Sequence, residues 1–321
     1  GFFIMRTLIV VNGGDAPGIN ALIARFISMA NRNGDEVCGG NAGFAGVLRD
    51  EIRPLSLADV GPVAGHGGSI LTSTREPALA KDEARDRLTA ILKRHSIDNI
   101  LLFGGNGTLT YIPPRLRQWG VPVIGIPTTI DNDVAGTDRT LGFDSACNYA
   151  YQAVEGVLAT ARALPGRIFM VETLGGDTGY IALDVAMGAG AHAVLVPEYD
   201  YSDEWLAHRL RDAIESDGHA LVVLSEGVKK IPQMPEMIPR MTGVRLRYTR
   251  LGHAQRGGTV SHADRRLAMD MARLAHHALR RGITSGTVIV RNGQMMVYED
   301  DIQNFELSPP NRAEYDFVNG F

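Results

Sequence analysis

The sequence predicts an α/β fold of two Rossmann-like lobes, each a mostly parallel sheet between two layers of helices. Short β-branched runs alternate with longer helical stretches from start to finish, which indicates parallel strands joined by helical crossovers. Glycine clusters follow several strand ends, where open α/β sheets bind their ligands. With 321 residues, 45% of them hydrophobic, the chain can bury a substantial core.

The predicted elements alternate along the chain. The strands are 7–11, 99–103, 121–126, 167–172, 193–196 and 220–225. The helices are 18–32, 81–95, 145–163, 203–216 and 261–281. A lobe boundary is expected near residue 140. The stretch 229–244 is rich in proline and methionine, so it is predicted to be an irregular surface connection.

Composition excludes several classes of function. A net charge of −4, with both signs interspersed, lacks the field of a general nucleic-acid binder. Two cysteines, Cys38 and Cys147, form no disulfide framework or metal-ligand pattern and favour a reducing compartment. No apolar run reaches the roughly 18 residues that span a bilayer, and residues 1–4 are set aside as a leader. We therefore expect a cytoplasmic protein without nucleic-acid or membrane partners.

Two glycine turns follow predicted strands. In LIVVNGGDAPGIN, residues 8–20, Gly13 and Gly14 stand between a strand and a helix, where backbone N–H groups and the helix N-terminus favour a phosphate. An ordinary turn capped by Asp15 explains this segment alone equally well. The turn LLFGGNGT, residues 101–108, repeats the arrangement and predicts a second phosphate-sized concavity beside the first. Neither turn is a P-loop or a dinucleotide fingerprint.

A third segment, IGIPTTIDNDVAGTD at 124–138, places Asp131 and Asp133 directly beyond an apolar strand. One carboxylate can accept a proton while the other holds a metal ion, which is the division of labour that phosphoryl transfer needs. A lone D-N-D is more often a capped turn. The neighbouring glycine turns favour the catalytic interpretation.

These motifs, followed by LGGDTGY, SEG and RLGHAQRGG, resemble the phosphofructokinase family in order and spacing over nearly the whole chain. The resemblance implies Asp131 as the catalytic base, with Thr129 and Asp133 beside it. It also implies a Mg²⁺-bound nucleotide, with Asn106 and Asp133 at the metal. The nucleotide and its phosphates would be contacted by Gly13, Gly14, Arg75, Gly105, Asn106, Gly107 and Thr108.

The resemblance likewise implies a sugar-phosphate site. Its residues are Arg167, Leu174, Gly175, Glu226, Arg247, His253 and Arg256. Arginine forks suit phosphate and a carboxylate suits sugar hydroxyls. In the family, Arg167 and Arg247 reach the site from a neighbouring subunit, so a homodimer or homotetramer with shared active sites is expected. Residues 5–140 with 255–305 would form a larger nucleotide-binding lobe, 141–254 a smaller sugar-phosphate-binding lobe, and 306–321 a C-terminal segment packing on both.

The sequence departs from the family pattern at several positions. Asn106 stands where members usually have a metal-binding Asp, and Gly176 where catalytic members have an arginine that stabilises the transferring group. Pyrophosphate users usually carry Asp and Lys at the positions of Gly107 and Thr128, so ATP is the expected donor. Phe44 is the one obvious candidate to contact the base, although a lone aromatic is more often part of a core. Ala24 and Ser28 replace the arginines of the nucleotide effector site, which predicts no activation by ADP.

The leading hypothesis is therefore transfer of the γ-phosphoryl group of ATP to the 1-hydroxyl of fructose 6-phosphate or a related ketose phosphate such as sedoheptulose 7-phosphate. A catalytically weak or inactive regulatory homologue that binds sugar phosphate and nucleotide is the alternative, because Asn106 and Gly176 depart together. Pyrophosphate is the alternative donor.

Overall fold

A computed structural model describes residues 3–321, which form two compact units. The first unit runs to Ser145 and resumes over Arg256–Leu307. The second comprises Ala146–Gln255 and Ser308–Phe321. Among the described residues, none of the helices is both long and apolar enough to cross a bilayer.

The strands are β1 Arg6–Val11, β2 Glu36–Gly40, β3 Ile52–Pro54, β4 Asn99–Gly104, β5 Val123–Thr129, β6 Leu141–Gly142, β7 Arg167–Thr173, β8 Ala193–Leu195, β9 His219–Ser225, β10 Leu246–Arg250, β11 Ser285–Arg291 and β12 Gln294–Tyr298. The α-helices are α1 Ile19–Arg32, α2 Gly43–Leu48, α3 Leu57–Val60, α4 Glu83–Arg94, α5 Asn106–Gln118, α6 Phe143–Ala163, α7 Tyr180–Ala189, α8 Asp203–Asp217, α9 Met234–Thr242, α10 His262–Arg280 and α11 Arg312–Asn319. Short 3₁₀ segments cover Gly61–Val63, Ile231–Gln233, Gly252–Arg256 and Ile302–Asn304.

The first unit contains a sheet in the order β12-β11-β5-β4-β1-β2-β3, with β6 paired to β5. Strands β2, β1, β4, β5 and β11 are mutually parallel, whereas β3 and β12 are antiparallel edges. From β1 the chain first builds outward to β2 and β3, then returns to the other side of β1 for β4 and β5. The strand order therefore reverses between β1 and β4, and ligands of open α/β sheets bind beyond the strand ends at such a point.

Alternation of side chains along these strands creates two cores. Ile9 and Val11 of β1 face one hydrophobic cluster, whereas Leu8 and Val10 face the other. Residues of α1 and α10 complete the first cluster, and residues of α4 and α5 complete the second. This arrangement is a three-layer α/β/α stack, because successive strand residues point to opposite faces.

The second unit contains a parallel sheet in the order β10-β7-β9-β8. Its edge strand β8 is contacted by Asn319, at the end of α11. The Asn319 Oδ1 atom accepts the N–H of Val194 at 2.8 Å, and its Nδ2 atom donates to the Val194 carbonyl at 3.1 Å. Asn319 is fully buried, so α11 is attached to the sheet by backbone-like hydrogen bonds.

The predicted α/β class with mostly parallel sheets is confirmed, but the prediction for 229–244 was wrong. Met234–Thr242 is a helix that buries Met234, Met237 and Ile238 on one face. These residues have the three- and four-residue spacing of an amphipathic helix. Pro235 is tolerated because it stands in the first turn, where its missing N–H costs nothing.

Candidate active site

The turn that follows β1 is held against the segment that contains Arg75. Gly13 has φ of 108°, a left-handed conformation that glycine adopts without strain. Its N–H donates to the Thr74 carbonyl at 3.0 Å, and its carbonyl accepts the Ser73 hydroxyl at 2.7 Å. The sequence around 73–75 is thus fixed beside the first glycine turn.

Two guanidinium groups lie beside Gly14. A Cβ atom at position 14 would lie 2.5 Å from Nη2 of Arg256 and 3.4 Å from Nη2 of Arg75, so a larger residue would displace the end of the Arg256 side chain. Arg256 also forms an ion pair with Asp15 at 2.9 Å. Sequence reasoning assigned Arg75 to the donor and Arg256 to the acceptor phosphate. The structure brings both arginines to one turn, where their guanidinium groups lie beside backbone N–H groups and the Asp15 carboxylate partly offsets their charge.

The second glycine turn is the start of helix α5. Gly105 is the N-cap residue and provides no side chain to accept the N–H groups of the first turn. These donors and the helix dipole favour an anion at this end of the 13-residue helix. Asn106 and Gly107 are exposed there, and a Cβ atom at Gly107 would meet no atom within 4 Å. The space around Gly107 is open.

The hydroxyl of Thr108 links the two glycine turns. It donates to the Asn12 carbonyl at 2.9 Å, and the Asn12 side chain in turn donates to it at 3.4 Å. Gly104 permits this approach, because a Cβ atom there would lie 2.4 Å from the Thr108 Cγ2 atom. The ends of β1 and β4 are therefore joined at the point where the strand order reverses.

The loop after β5 lies next to the start of α5. A Cβ atom at Gly105 would be 3.8 Å from the Thr128 carbonyl oxygen and from Cβ of Thr129. The Thr129 Oγ1 atom accepts the N–H of Asp131 at 3.1 Å. Asp131 and Asp133 are half-buried. The two carboxylates thus follow a strand that adjoins the helix terminus just described.

Residues 3–321 contain no group of three His, Cys, Asp or Glu side chains that would hold a metal ion by itself. The predicted ligands are one carboxylate, Asp133, and one amide oxygen, Asn106. Mg²⁺ usually takes one or two protein oxygens and completes its shell with phosphate oxygens and water. This donor set fits Mg²⁺ that arrives with a nucleotide.

Within the second unit, the predicted sugar-phosphate residues follow β7 and β9. The N–H of Glu226 donates to the Thr173 carbonyl at 2.9 Å, which joins the two strand ends. The N–H of Leu174 donates to Oε1 of Gln255 at 2.9 Å. Gly175 is buried, and a Cβ atom there would lie 2.5 Å from the Thr178 carbonyl oxygen. Glu226 and His253 are exposed.

Arg167 and Arg247 line an open groove of about 510 Å³. Its other walls come from α6, β7 and β10 and consist of Ala153, Gly156, Val157, Thr160, Phe169 and Thr249. The Nε atom of Arg247 is buried and has no hydrogen-bond partner among the described residues. A buried, unpaired guanidinium N–H is costly, so this groove suits an anionic or hydrogen-bond-accepting group.

The sequence profile described as Phosphofructokinase matches residues 6–279. The chain belongs to the phosphofructokinase family. It is 37% identical over 301 residues to the ATP-dependent 6-phosphofructokinase of Thermoanaerobacter sp. strain X514, with 93% of each chain covered. It is 35% identical to the enzyme of the same name from Aquifex aeolicus, covering 97% of this chain and 98% of the relative.

Solved structures show the same phosphofructokinase fold. Pichia pastoris phosphofructokinase in the T-state superposes with a TM-score of 0.86 at 24% identity. The match covers 94% of this chain and 35% of the Pichia chain, so this chain spans about a third of that protein. A pyrophosphate-dependent phosphofructokinase from Marinobacter aquaeolei gives a TM-score of 0.84 at 21% identity, covering 96% of this chain and 86% of that one.

Three positions depart from the usual phosphofructokinase pattern. Asn106 is the first residue of α5 and is exposed. Thr128 is only 2% exposed and its hydroxyl donates to the Ile126 carbonyl at 2.9 Å, so the side chain is engaged within β5. Gly176 has φ of 59°, a left-handed conformation that strains any residue with a Cβ atom. An arginine at position 176 would favour a negative φ, which the backbone of Gly176 does not have.

Of the two interpretations of Phe44, the structure supports the core, and several site residues were missed. Phe44 is 1% exposed and belongs to a hydrophobic core of the first unit, so it does not offer a ring to a nucleotide base. The missed residues are Asn12, Ser73 and Gln255. Asn12 stands inside the segment LIVVNGGDAPGIN, directly before Gly13, and Ser73 stands two residues before Arg75. Gln255 stands between His253 and Arg256, and only its contact with Leu174 reveals its role.

Proposed function

We propose that this chain transfers the γ-phosphoryl group of ATP to the 1-hydroxyl of fructose 6-phosphate. The relatives named ATP-dependent 6-phosphofructokinase, at 35% to 37% identity over almost their full length, support this substrate pair. The observation that carries the proposal is the convergence of two guanidinium groups, a helix N-terminus and the Asp131 loop at one sheet edge. Phosphoryl transfer depends mainly on such positioning and charge stabilisation.

Asp131 is proposed as the general base. Its carboxylate would accept the proton of the 1-hydroxyl while that oxygen attacks the γ-phosphorus in line and ADP departs. Arg75, Arg256 and the first turn of α5 would bind the phosphate oxygens of the donor. Asp133 and Asn106 would hold Mg²⁺, which supplies neutralisation of the phosphate charge when bound.

ATP is favoured over pyrophosphate as the donor. The space around Gly107 is open, which accommodates a nucleotide, and Thr128 is buried and bonded within its own strand. Neither position therefore provides the extra carboxylate and lysine associated with pyrophosphate use. Arg167 and Arg247 are proposed to bind the phosphate of the acceptor in a neighbouring subunit, with Glu226 and His253 contacting the sugar phosphate.

A second candidate function is a regulatory homologue that binds sugar phosphate without appreciable turnover. Asn106 and Gly176 favour it, because loss of a charge-stabilising contact costs on the order of 10² to 10³ in rate. The left-handed backbone of Gly176 would also strain an arginine introduced at this position.

A coupled assay separates these candidates. The purified chain is tested with ATP or pyrophosphate and with fructose 6-phosphate or sedoheptulose 7-phosphate, against Asp131→Asn as the control. We expect ATP-dependent turnover that falls on the order of 10² to 10⁴-fold in Asp131→Asn, while acceptor binding measured by calorimetry is nearly unchanged. Acceptor binding without turnover above this control would identify the regulatory homologue. Turnover that survives the substitution would remove Asp131 from its role.

A further inference from the structure

Asn132 stands between the two carboxylates of the loop that follows β5, and its side chain spans that loop. Its Oδ1 atom accepts the N–H of Thr140 at 2.9 Å, and its Nδ2 atom donates to the Asp138 carbonyl at 3.2 Å. Its backbone is left-handed, with φ of 57°, which asparagine tolerates better than most residues. Both polar ends of one side chain thus tie the start of the loop to its end.

The hydroxyl of Thr140 adds a second connection across the loop. Thr140 is 1% exposed, and its Oγ1 atom donates to the Thr129 carbonyl at 2.7 Å. The Thr129 side chain accepts the N–H of Asp131 at 3.1 Å. Asn132 and Thr140 therefore add to the pairing of Thr129 with Gly142, between β5 and β6, in fixing the backbone on both sides of Asp131.

The far end of the loop is attached to the β11–β12 hairpin. The Asp138 N–H donates to the Val290 carbonyl at 2.7 Å, and the Asp138 carboxylate accepts the N–H of Asn292 at 2.7 Å. Thr137 Oγ1 accepts the Val290 N–H at 3.0 Å. The hairpin is part of the first-unit sheet, so this end of the loop has a rigid anchor.

We propose that Asn132 is a positioning residue for Asp131: it transmits the rigidity of the hairpin anchor to the backbone that bears the base. This inference rests on the proposed function. A general base must lie within hydrogen-bond reach of the hydroxyl that it deprotonates, and a misplacement of about 1 Å can cost on the order of 10²-fold in rate. A loop held only by its two ends would not fix a carboxylate to that tolerance.

Asn132→Gly tests the proposal, because glycine adopts the left-handed backbone without strain and removes the side-chain hydrogen bonds to Asp138 and Thr140. We expect kcat to fall roughly 10- to 100-fold, while KM for the ketose phosphate stays within about twofold. Asn292→Gly is the matched control. Asn292 is also left-handed, with φ of 50°, and contributes its backbone N–H to Asp138, which glycine retains. Its kcat should stay within about twofold of the unsubstituted chain.

A double substitution separates positioning from general damage to the fold. If Asn132 acts through Asp131, Asn132→Gly should lower the residual rate of Asp131→Asn by less than about twofold. Three results would overturn the inference while leaving the proposed function standing. They are an equal fold loss of rate in the unsubstituted chain and in Asp131→Asn, a change in KM alone, and an unchanged kcat. Absence of turnover in the unsubstituted chain would instead defeat the proposed function, and this inference with it.

Discussion

Gly14 allows two positive side chains to share one turn because it has no side chain of its own. Arg75 and Arg256 come from segments about 180 residues apart in sequence, and a methyl group at position 14 would displace the end of Arg256 and contact Arg75. The ion pair between Arg256 and Asp15 holds one of these charges in place before any phosphate arrives. The positive site is therefore preorganised, which spares part of the cost of ordering it on binding.

Replacing Asn106 with Asp should lower the Mg²⁺ concentration needed for half-maximal rate several-fold. A carboxylate holds a hard divalent cation more tightly than an amide oxygen does. The substitution should not destabilise the chain, since an acidic residue in the first turn of α5 complements the helix dipole. Initial rates measured across a Mg²⁺ titration check this prediction.

Asn31→Asp provides the control for Asn106→Asp. It adds the same charge at an exposed position near the C-terminus of α1, outside the proposed metal site. Its Mg²⁺ dependence should match that of the unsubstituted chain. An identical response of the two variants would show that net charge, rather than metal ligation, is responsible. An unchanged Mg²⁺ requirement in Asn106→Asp would show that the site compensates for the missing carboxylate elsewhere.

Among the elements, the start of α6 and the start of α10 are joined by Asp264. This fully buried carboxylate accepts the N–H groups of Gly142 and Ser145 at 3.1 and 2.8 Å and the Ser145 hydroxyl at 2.6 Å. Burial raises its pKa, although these donors oppose the shift. Ser261, the N-cap of α10, also donates to Asp144.

Asp264→Asn should destabilise the chain by about 1 to 3 kcal/mol, because the new amide N–H group would face donors and remain unsatisfied. Thermal or urea denaturation measures the loss. Asp270→Asn on the same helix is the control, since Asp270 forms only a surface ion pair with Arg273, and exposed pairs contribute about 0 to 1 kcal/mol. Equal stability of the two variants would contradict the role of Asp264.

The packing of α10 on α1 includes a buried histidine. His276 is 4% exposed and stacks edge-on against Phe26, with ring centroids 5.5 Å apart. Burial lowers its pKa below the ordinary value of 6.5, although Asp35 opposes the shift. The unfolded chain therefore binds the proton more readily, and the stability that depends on neutral His276 is complete above about pH 6.5 and declines as pH falls toward the lowered value.

His276→Gln should flatten this loss of stability between about pH 6.5 and 5, because glutamine does not titrate. One proton can contribute a slope of at most about 1.4 kcal/mol per pH unit. Denaturation midpoints measured across the range reveal the slope. The adjacent and exposed His277, changed to Gln, should retain the pH dependence of the unsubstituted chain. If His276→Gln keeps the original slope of stability against pH, a group other than His276 is responsible for it.

Sequence patterns predicted regular elements better than irregular ones. Strand β4 and helix α1 agree with prediction to within a residue, because their apolar periodicity and flanking glycines are local signals. Helix α9 was missed because the prolines of this short segment favour irregular structure. The spacing of its buried residues, two of them methionines, was the helical signal that was overlooked. The hydrogen bonds of the Asn132 side chain with Asp138 and Thr140 could not be predicted from the sequence. They depend on the path of the loop, which leaves no periodic pattern.

At the scale of the whole molecule, the groove that contains Arg167 and Arg247 predicts complementation between defective subunits. If Arg247 serves the active site of a neighbouring subunit, mixing Asp131→Asn with Arg247→Ala chains restores some active sites. Such a site combines Asp131 of the Arg247→Ala chain with Arg247 of the Asp131→Asn chain. A mixed pair then contains one intact site and one doubly defective site. Random pairing of equal amounts should yield about a quarter of the unsubstituted activity, measured after joint refolding.

A mixture of Asp131→Asn with Arg245→Ala is the control for this complementation. Arg245 is exposed beside β10 and lies outside the groove, so the activity of its mixture should simply follow the share of that variant. An activity of the Arg247→Ala mixture no higher than the mean of its two components would mean that Arg247 acts within its own chain or not at all.

The contact between Asn319 and Val194 also bears on how separate copies of the chain behave toward each other. An exposed strand edge can recruit further strands, and repeated recruitment produces insoluble fibres. By occupying the N–H and C=O groups of Val194 in the short strand β8, a single amide side chain hinders that growth at one margin of the sheet. We therefore expect the side chain at position 319 to limit aggregation through this strand edge.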